Sequence, residues 1–267
     1  MKLLSKPGSA GSIVSLKGPE WIGAQRRAGC ACRDALETLE LEVANGTTRS
    51  LIELSDLAES VILQHSCTPT FKGYKGFPAA VCISVNKQLV HGIPSDYRLQ
   101  DGDVVSFDLG ATYCGAIADT AITCIYGTAK KEHQALLAAT YQSLIAGIRA
   151  IKVGHHLGVI GDAIYRVGKQ HGLGVITEYG GHGLDLNTPH APPFVQNRSA
   201  PNEGIVIQPG LTIAIEPMFV IGVPRTSTLS DKWTVVTEDI GAHFEHTVFV
   251  HVDRVECMTL RSNESAL

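Results

Sequence analysis

Residues 104–125 read VVSFDLGATYCGAIADTAITCI. The apolar runs over residues 104–109 and 116–125 predict two β-strands, and the glycines between them indicate a turn. Strands joined by a short turn pair in antiparallel orientation. This stretch therefore predicts a β-hairpin centred on residues 113–114.

Each of the two predicted strands carries an aspartate among apolar neighbours. In the predicted register, Asp108 and Asp119 lie directly opposite each other on one face of the hairpin. Carboxylates about 5 Å apart on paired strands repel each other unless a shared proton or a metal ion intervenes. The spacing therefore predicts a cation site, and the alternative is that one of these aspartates is a turn residue near solvent.

Two later apolar stretches contain the same mismatch between a carboxylate and its surroundings. Glu216 lies in LTIAIEPMF, residues 211–219, and Glu245 lies in FEHTV, residues 244–248. Ionised carboxylates rarely stay buried unless they are paired or bound to a cation, because desolvation costs several kcal/mol per ion. Together with His182, these four acids form an oxygen-rich set that suits Mn, Fe, Co or Zn in a two-metal site.

Helices and strands are interspersed along the rest of the chain. Apolar residues at helical spacing predict four helices, between Pro19 and Asn45 and over residues 51–64, 137–151 and 157–171. Further strands are predicted over residues 80–85, 204–207, 211–221, 234–237 and 242–252. With no linker and no short-period repeat, we expect a Gly/Ser-rich N-terminal lead (residues 1–18) and a single α+β domain (residues 19–267).

The composition is that of an ordinary globular protein and excludes a mainly disordered chain. The chain has 267 residues, of which 44% are hydrophobic and 18% charged, with 22 Lys plus Arg against 26 Asp plus Glu. This length can bury a core without disulfide or metal staples. The mild acidity, without a basic stripe, argues against nucleic acid as the main ligand.

Targeting and redox signals are weak. The seven cysteines form no Cys-x-x-Cys pair, so we expect reduced, mostly buried thiols. The apolar stretch at the N-terminus is broken by Lys6-Pro7-Gly8 before a signal-peptide core could form. No apolar run approaches the roughly 18 residues of a membrane span. We therefore predict a cytoplasmic location and no membrane partner.

The chain resembles the methionine aminopeptidases, metallopeptidases that remove the initiator methionine from new proteins. The resemblance covers almost the whole chain and rests on seven ordered blocks: Tyr74-Lys75-Gly76-Phe77-Pro78, Val81-Cys82-Ile83-Ser84-Val85-Asn86, His91-Gly92-Ile93-Pro94, Gly102-Asp103-Val104-Val105, Gly181-His182-Gly183, Ile215-Glu216-Pro217-Met218 and Phe244-Glu245-His246-Thr247. It implies the pita-bread (creatinase/aminopeptidase) fold, in which helices cover the outer face of a curved antiparallel sheet.

The resemblance also implies a ligand set. Asp108 would bind one of two divalent ions (Co, Mn, Fe or Zn), Asp119 and Glu245 would bridge both, and His182 and Glu216 would complete the other site. Four carboxylates balance two dications, which removes the burial problem stated above.

The implied reaction is hydrolysis of the first peptide bond of peptides and nascent proteins that begin with Met, by a water that bridges the two metals. Glu216 would shuttle the proton, His190 would donate to the scissile carbonyl, and His91 would contact the peptide. The other histidines, among them His243, lack such sequence context and are expected to be structural.

The resemblance further implies a side-chain pocket and a partner. The pocket would be formed by Tyr74, Phe77, Cys82 and Trp233, with Phe71 at its rim. Aromatic faces and one thiol suit the unbranched thioether of methionine. Any transient contact with the ribosome would have to use the catalytic domain itself.

The sequence departs from the family pattern after His182. Asp185 stands where glycine is usual, one residue appears to be added before His190, and Pro189 replaces an aromatic. The altered stretch 185–193 leaves substrate preference open.

Two other functions stay open at this point. One is a related pita-bread peptidase with Xaa-Pro (prolidase-like) specificity, which would share the five ligands. The other is a non-catalytic binding protein on the same fold, although such proteins typically lose ligands.

Overall fold

The computed structural model describes residues 2–4 and 14–264 of the chain. Within these residues the helices are α1 (Pro19–Ala44), α2 (Leu51–Gln64), α3 (Lys131–Arg149) and α4 (Gly158–Gln170), with a 3-10 turn at Tyr74–Gly76. The strands are β1 (Lys2–Leu4), β2 (Val14–Leu16), β3 (Thr68–Pro69), β4 (Val81–Val85), β5 (Gln88–Val90), β6 (Val104–Tyr113), β7 (Ala116–Ile125), β8 (Gly174–Val175), β9 (Gly181–Asp185), β10 (Thr188–Val195), β11 (Thr212–Ile215), β12 (Met218–Val220), β13 (Thr226–Thr228), β14 (Val235–Thr237), β15 (Gly241–His243), β16 (Glu245–Val250) and β17 (Val255–Cys257). Strands and helices alternate in blocks, as expected for an α+β protein.

The largest sheet is antiparallel and has the strand order β10-β9-β11-β16-β7-β6-β3. Strand β17 adds to β16, and β4 adds to β6. Two three-stranded sheets, β15-β12-β8 and β13-β14-β5, lie beside it, and β1 pairs with β2. No helix in the described part of the chain is long and apolar enough to cross a bilayer.

The faces of the main sheet have different environments. Helix α1 packs on β6 and β7, and its buried residues share a core with Phe107 and Leu109 of β6. Because side chains alternate along a strand, Asp108 must point to the opposite face. The helices therefore cover one face, and the acidic residues line the other.

The hairpin β6–β7 corrects the predicted register. Its turn consists of Cys114 and Gly115, so Asp119 pairs with Gly110 and Asp108 pairs with Ala121. Both turn residues have positive φ, 48° and 81°, as a two-residue type I′ turn requires. The expectation that the two aspartates lie directly opposite each other is wrong. Since the shift is by two residues, both still share one face.

Several strand predictions also need correction. The stretches predicted as single strands over residues 211–221 and 242–252 are each divided, at Glu216-Pro217 and at Phe244. Pro217 has no N–H for a sheet ladder, which accounts for the first break. Residues 204–207 form no strand, only an isolated bridge between Val206 and His156.

The helix predictions are confirmed, although α3 begins at Lys131, before its predicted start at residue 137. A Ser50 capping box fixes the start of α2, because its side chain accepts from the Glu53 amide and Glu53 accepts from the Ser50 amide. The predicted lead over residues 1–18 lies mostly outside the described residues. At its end, Val14 and Leu16 are buried in the core, and the division of the chain at residue 18 stays a prediction.

Side-chain hydroxyls join β7 to β16, whose backbone pairing covers two residue pairs. The Thr247 hydroxyl accepts from the Asp119 amide and donates to the Asp119 carbonyl, both at 2.8 Å. The Thr120 hydroxyl donates to the Glu245 carbonyl at 2.8 Å. The backbones of two buried acids are thus fixed by threonine hydroxyls.

We predict that Thr247→Val lowers the free energy of unfolding by about 1–3 kcal/mol, because it leaves a buried amide and carbonyl without partners in a nearly unchanged volume. Chemical denaturation measures the effect. Thr228→Val, at an exposed position of β13, is the matched control and should change stability by less than about 0.5 kcal/mol. Equal stability of the two variants would contradict the proposed role of the hydroxyl.

Candidate metal centre

Strand register places the acidic residues in one row. Asp108 of β6 and Glu245 of β16 both pair with Ala121 of β7, one from each side. Asp119 is two residues from Ala121 and therefore shares its face. Glu216 directly follows Ile215, the partner of His246, and thus lies beside Glu245.

The side chains in this row converge. Three groups have ligand atoms that all lie within 4.8 Å of one another: Asp108, Asp119 and Glu245; His182, Glu216 and Glu245; and Asp119, His182 and His190. The groups share members, so they form one cluster. The structure thus brings together all five residues predicted as ligands, and adds His190 at the edge.

The cluster is poor in hydrogen-bond partners. Asp119 and Glu245 are 1% and 2% exposed. Among the described residues, no hydrogen-bond partner is found for Asp108 Oδ1, Asp119 Oδ1 or Glu245 Oε1. Buried carboxylate oxygens are seldom left unpaired. Unpaired oxygens on carboxylates gathered this closely fit a hard divalent cation.

Burial changes the protonation of these acids. It raises the pKa of Asp108 and of Glu216 to about 7, against ordinary values near 4. Burial, followed by the neighbouring carboxylates, raises the pKa of Asp119 and of Glu245 well above the usual range. Without a cation, the cluster therefore retains protons that exposed carboxylates would have lost.

Glu216 lies between two imidazoles. Its Oε1 is 3.5 Å from His182 Nε2, and its Oε2 is 3.4 Å from His243 Nε2. His243, which the sequence was expected to use structurally, thus lies beside the cluster. The sequence does hold a signal for it, because His243 stands two residues before Glu245 and a strand period of two places both on one face.

His91 and His190 line the same cavity as the cluster. The ring of His190 has its centroid 4.6 Å from that of His182 and 5.3 Å from that of Tyr74. The ring of His91 packs edge-on to Trp233 at 6.4 Å. Burial lowers the pKa of His91 to about 4, so this imidazole is neutral near pH 7.

The stretch expected to be an altered loop, residues 185–193, is largely strand. Strands β9 and β10 form a hairpin with two irregularities in register, between Thr188 and Ala191 and between Ala191 and Phe194. An extra residue in one strand bends it and re-aims its side chains. The first irregularity lies where the sequence suggests an added residue, and His190 lies within it. Asp185 forms an ion pair with the buried Lys17.

An aromatic pocket adjoins the cluster. Phe71, Phe77 and Cys82 pack together with Trp233 against them, and the rings of Phe77 and Trp233 lie 5.2 Å apart. Cys82 pairs with Asp108 across β4 and β6, which joins pocket to cluster. Tyr74 lies against His190 instead. All these residues line one cavity of about 1040 Å³.

Comparisons with known proteins all identify metallopeptidases of one family as similar to this chain. The profile of metallopeptidase family M24 matches residues 23–251. Methionine aminopeptidase 1 of Mycobacterium tuberculosis is 41% identical, over 93% of this chain and 96% of its own length. The methionine aminopeptidase of Mycoplasma capricolum is 38% identical, over 92% of this chain and 98% of its own length.

Solved structures confirm the predicted pita-bread fold. The methionine aminopeptidase of Thermotoga maritima superposes with a TM-score of 0.89 at 33% identity, covering 92% of this chain and 99% of that one. The prolidase from Pyrococcus furiosus gives a TM-score of 0.74 at 20% identity, and 66% of its chain is covered. The second likeness concerns the fold alone.

We predict that Asp108→Asn stabilises the metal-free protein more at pH 8 than at pH 5. The raised pKa of Asp108 means that its contribution to stability is present below about pH 4 and is lost as the pH rises through about 7. Asparagine has the same shape but does not ionise, so the variant does not lose stability as the pH rises. The gain should reach roughly 1–3 kcal/mol at pH 8, measured by unfolding in the presence of a chelator.

The control is Asp253→Asn, because the Asp253 side chain is 75% exposed and its carboxylate stays hydrated in the folded protein. Its effect should not change between the two pH values. A pH-independent effect of Asp108→Asn would contradict the assignment of a raised pKa to this carboxyl.

Proposed function

This chain belongs to metallopeptidase family M24, and on that premise we propose that it is a methionine aminopeptidase, a hydrolase that removes the N-terminal methionine from peptides and nascent proteins. The observation that carries the proposal is the buried cluster of four carboxylates and one histidine beside an aromatic pocket. The extent of the likeness to methionine aminopeptidases, more than nine-tenths of each chain, supports it.

We propose two divalent ions per chain (Co, Mn, Fe or Zn), held by Asp108, Asp119, His182, Glu216 and Glu245. The unpaired oxygens of the cluster support this. Such ions, when bound, acidify a water and polarise the carbonyl of the first peptide bond. Four negative charges against two dications leave the buried cluster neutral.

The protein's own groups then orient the substrate and move protons. Glu216 takes the proton of the attacking water and delivers it to the leaving nitrogen. His190 donates to the scissile carbonyl oxygen as negative charge develops there. His91, neutral and buried, contacts the peptide on the opposite side.

The pocket gives a physical basis for methionine. Phe77, Cys82 and Trp233 provide an apolar wall, and Tyr74 closes the side towards His190. Burial raises the pKa of the Cys82 thiol well above its usual range, so it stays uncharged. A thioether side chain contacts such soft and aromatic surfaces favourably.

The two alternative functions are less well supported. Prolidase-like specificity would use the same five ligands, but the likeness to the Pyrococcus furiosus prolidase is only 20% identity over 66% of that chain. A non-catalytic binding protein would have no need to retain every acid of a cluster that is costly to bury.

The cellular setting is part of the proposal. The seven cysteines all lie among the described residues and are all free thiols, which suits a reducing compartment, so we place the reaction in the cytoplasm. Nascent chains would then be substrates, with transient ribosome contact through the catalytic domain.

We predict that protein stripped with chelator and reloaded with Co²⁺ or Mn²⁺ releases methionine from peptides beginning Met-Gly or Met-Ala. The measurement is free amino acid released over a peptide panel varied at its first two positions. Hydrolysis of Xaa-Pro peptides alone would contradict the proposal in favour of prolidase-like specificity, and no hydrolysis at all would favour a binding protein.

We also predict that Asp108→Asn binds metal at least 10-fold more weakly and loses turnover, since a neutral amide cannot offset a dication. Calorimetric titration of the stripped protein measures the affinity. The matched control is Glu178→Gln, which lines the same cavity outside the cluster and should bind metal like the wild type. A metal-replete, active Asp108→Asn variant would refute the ligand assignment.

A further inference from the structure

His243 is a buried side chain that the proposed mechanism does not use. It is 1% exposed, and neither ring nitrogen has a hydrogen-bond partner among the described residues. Its backbone is firmly held, because the Thr123 hydroxyl accepts from its amide at 2.9 Å and donates to its carbonyl at 2.7 Å. The backbone of His243 is therefore fixed, whereas its buried ring has no hydrogen-bond partner of its own.

Strand pairing explains where the ring points. Ile215 pairs with His246 and Met218 pairs with His243, so the register continues across the break at Glu216-Pro217. Glu216 is therefore opposite Glu245, and His243 is one step along on the same face. The fold itself aims this imidazole at the carboxylate of Glu216.

The two oxygens of Glu216 face different imidazoles. Oε1 faces His182, a member of the group that could hold a metal, at 3.5 Å, whereas Oε2 faces His243 at 3.4 Å. The groups of ligand atoms within 4.8 Å of one another do not include His243. Its position is thus that of a residue behind the ligand shell.

A neutral imidazole has one N–H to donate. With the proton on Nε2, the donor lies 3.4 Å from Glu216 Oε2, so that a small adjustment of either side chain forms the hydrogen bond. With the proton on Nδ1, the donor has no partner among the described residues. Groups that hydrogen-bond a metal ligand fix its orientation, and their loss typically costs 10–100-fold in metal affinity or activity.

We propose that His243 is a positioning residue for Glu216: its Nε2–H donates to Oε2 and holds Oε1 towards the metal cluster. The inference rests on the proposed function, because it concerns the same site. It assigns to His243 no contact with substrate or metal, so substrate binding should depend on it little.

The test compares two substitutions of nearly equal length. His243→Gln keeps an N–H donor, whereas His243→Met removes it. We expect His243→Met to lower kcat by about 10–100-fold with KM within about 3-fold of wild type, and to weaken Mn²⁺ binding to the stripped protein by about 10-fold. His243→Gln should restore kcat and Mn²⁺ affinity to within about 3-fold of wild type.

A second buried histidine is the matched control. His133 of α3 is 5% exposed, and its Nδ1 also lacks a partner, but it does not line the cavity of the cluster. His133→Met should leave kcat and Mn²⁺ affinity unchanged. The proposal is overturned if His243→Met matches this control, or if the folded Gln and Met variants at position 243 are equally impaired.

The proposal also remains testable if the Met variant does not fold or if the wild-type protein shows no peptidase activity. If His243→Met does not fold, His243→Leu and His243→Asn give the same comparison, and the proposal fails unless the amide variant has the higher kcat and metal affinity. If wild-type protein binds Mn²⁺ but cleaves no Met peptide, the proposed function fails, while the Mn²⁺ affinities of the variants still test the role of His243.

Discussion

The need to neutralise four carboxylates that are buried or nearly buried governs this molecule. Asp108, Asp119, Glu216 and Glu245 lie on one sheet face, and three of them have an oxygen without a hydrogen-bond partner in the described part of the chain. Retaining protons or binding divalent cations are the two ways to relieve the repulsion. Only the second leaves the site ready to activate water at neutral pH.

The sheet meets this need through register rather than through a local motif. One residue of β7, Ala121, aligns acids from the strands on both of its sides. Threonine hydroxyls of β7 and β16 hydrogen-bond the backbones of Asp119, Glu245 and His243, and so hold β7 to β15 and β16. The helices cover only the opposite face, which leaves the acidic face open to a cavity large enough for a peptide end.

Much of this could be predicted from the sequence, because the signal lies in residue types that do not belong in buried strands. A carboxylate within VVSFDL or LTIAIEP demands a compensating charge wherever the strand lies. Helices with caps and clear periodicity, such as α2, were also predictable. The register of β6–β7 could not be predicted, because it depends on a positive φ at Cys114. Cysteine is not a residue type that indicates such a turn.

Other features depended on tertiary context. His190 lies within a register irregularity of β10 that three prolines make hard to recognise as strand. The ion pair of Lys17 and Asp185 joins residues 168 positions apart, so no local sequence pattern could predict it. His243 looked ordinary because its partner, Glu216, is on a different strand segment.

Calorimetric titration of Mn²⁺ into chelator-stripped protein at pH 6.5, in two buffers of different ionisation enthalpy, tests the central claim most directly, because it counts ions bound and protons released together. The account predicts about two ions per chain and a release of protons on binding, since the buried acids give up protons that the cations replace. Absence of binding, or binding without any proton release, would contradict it.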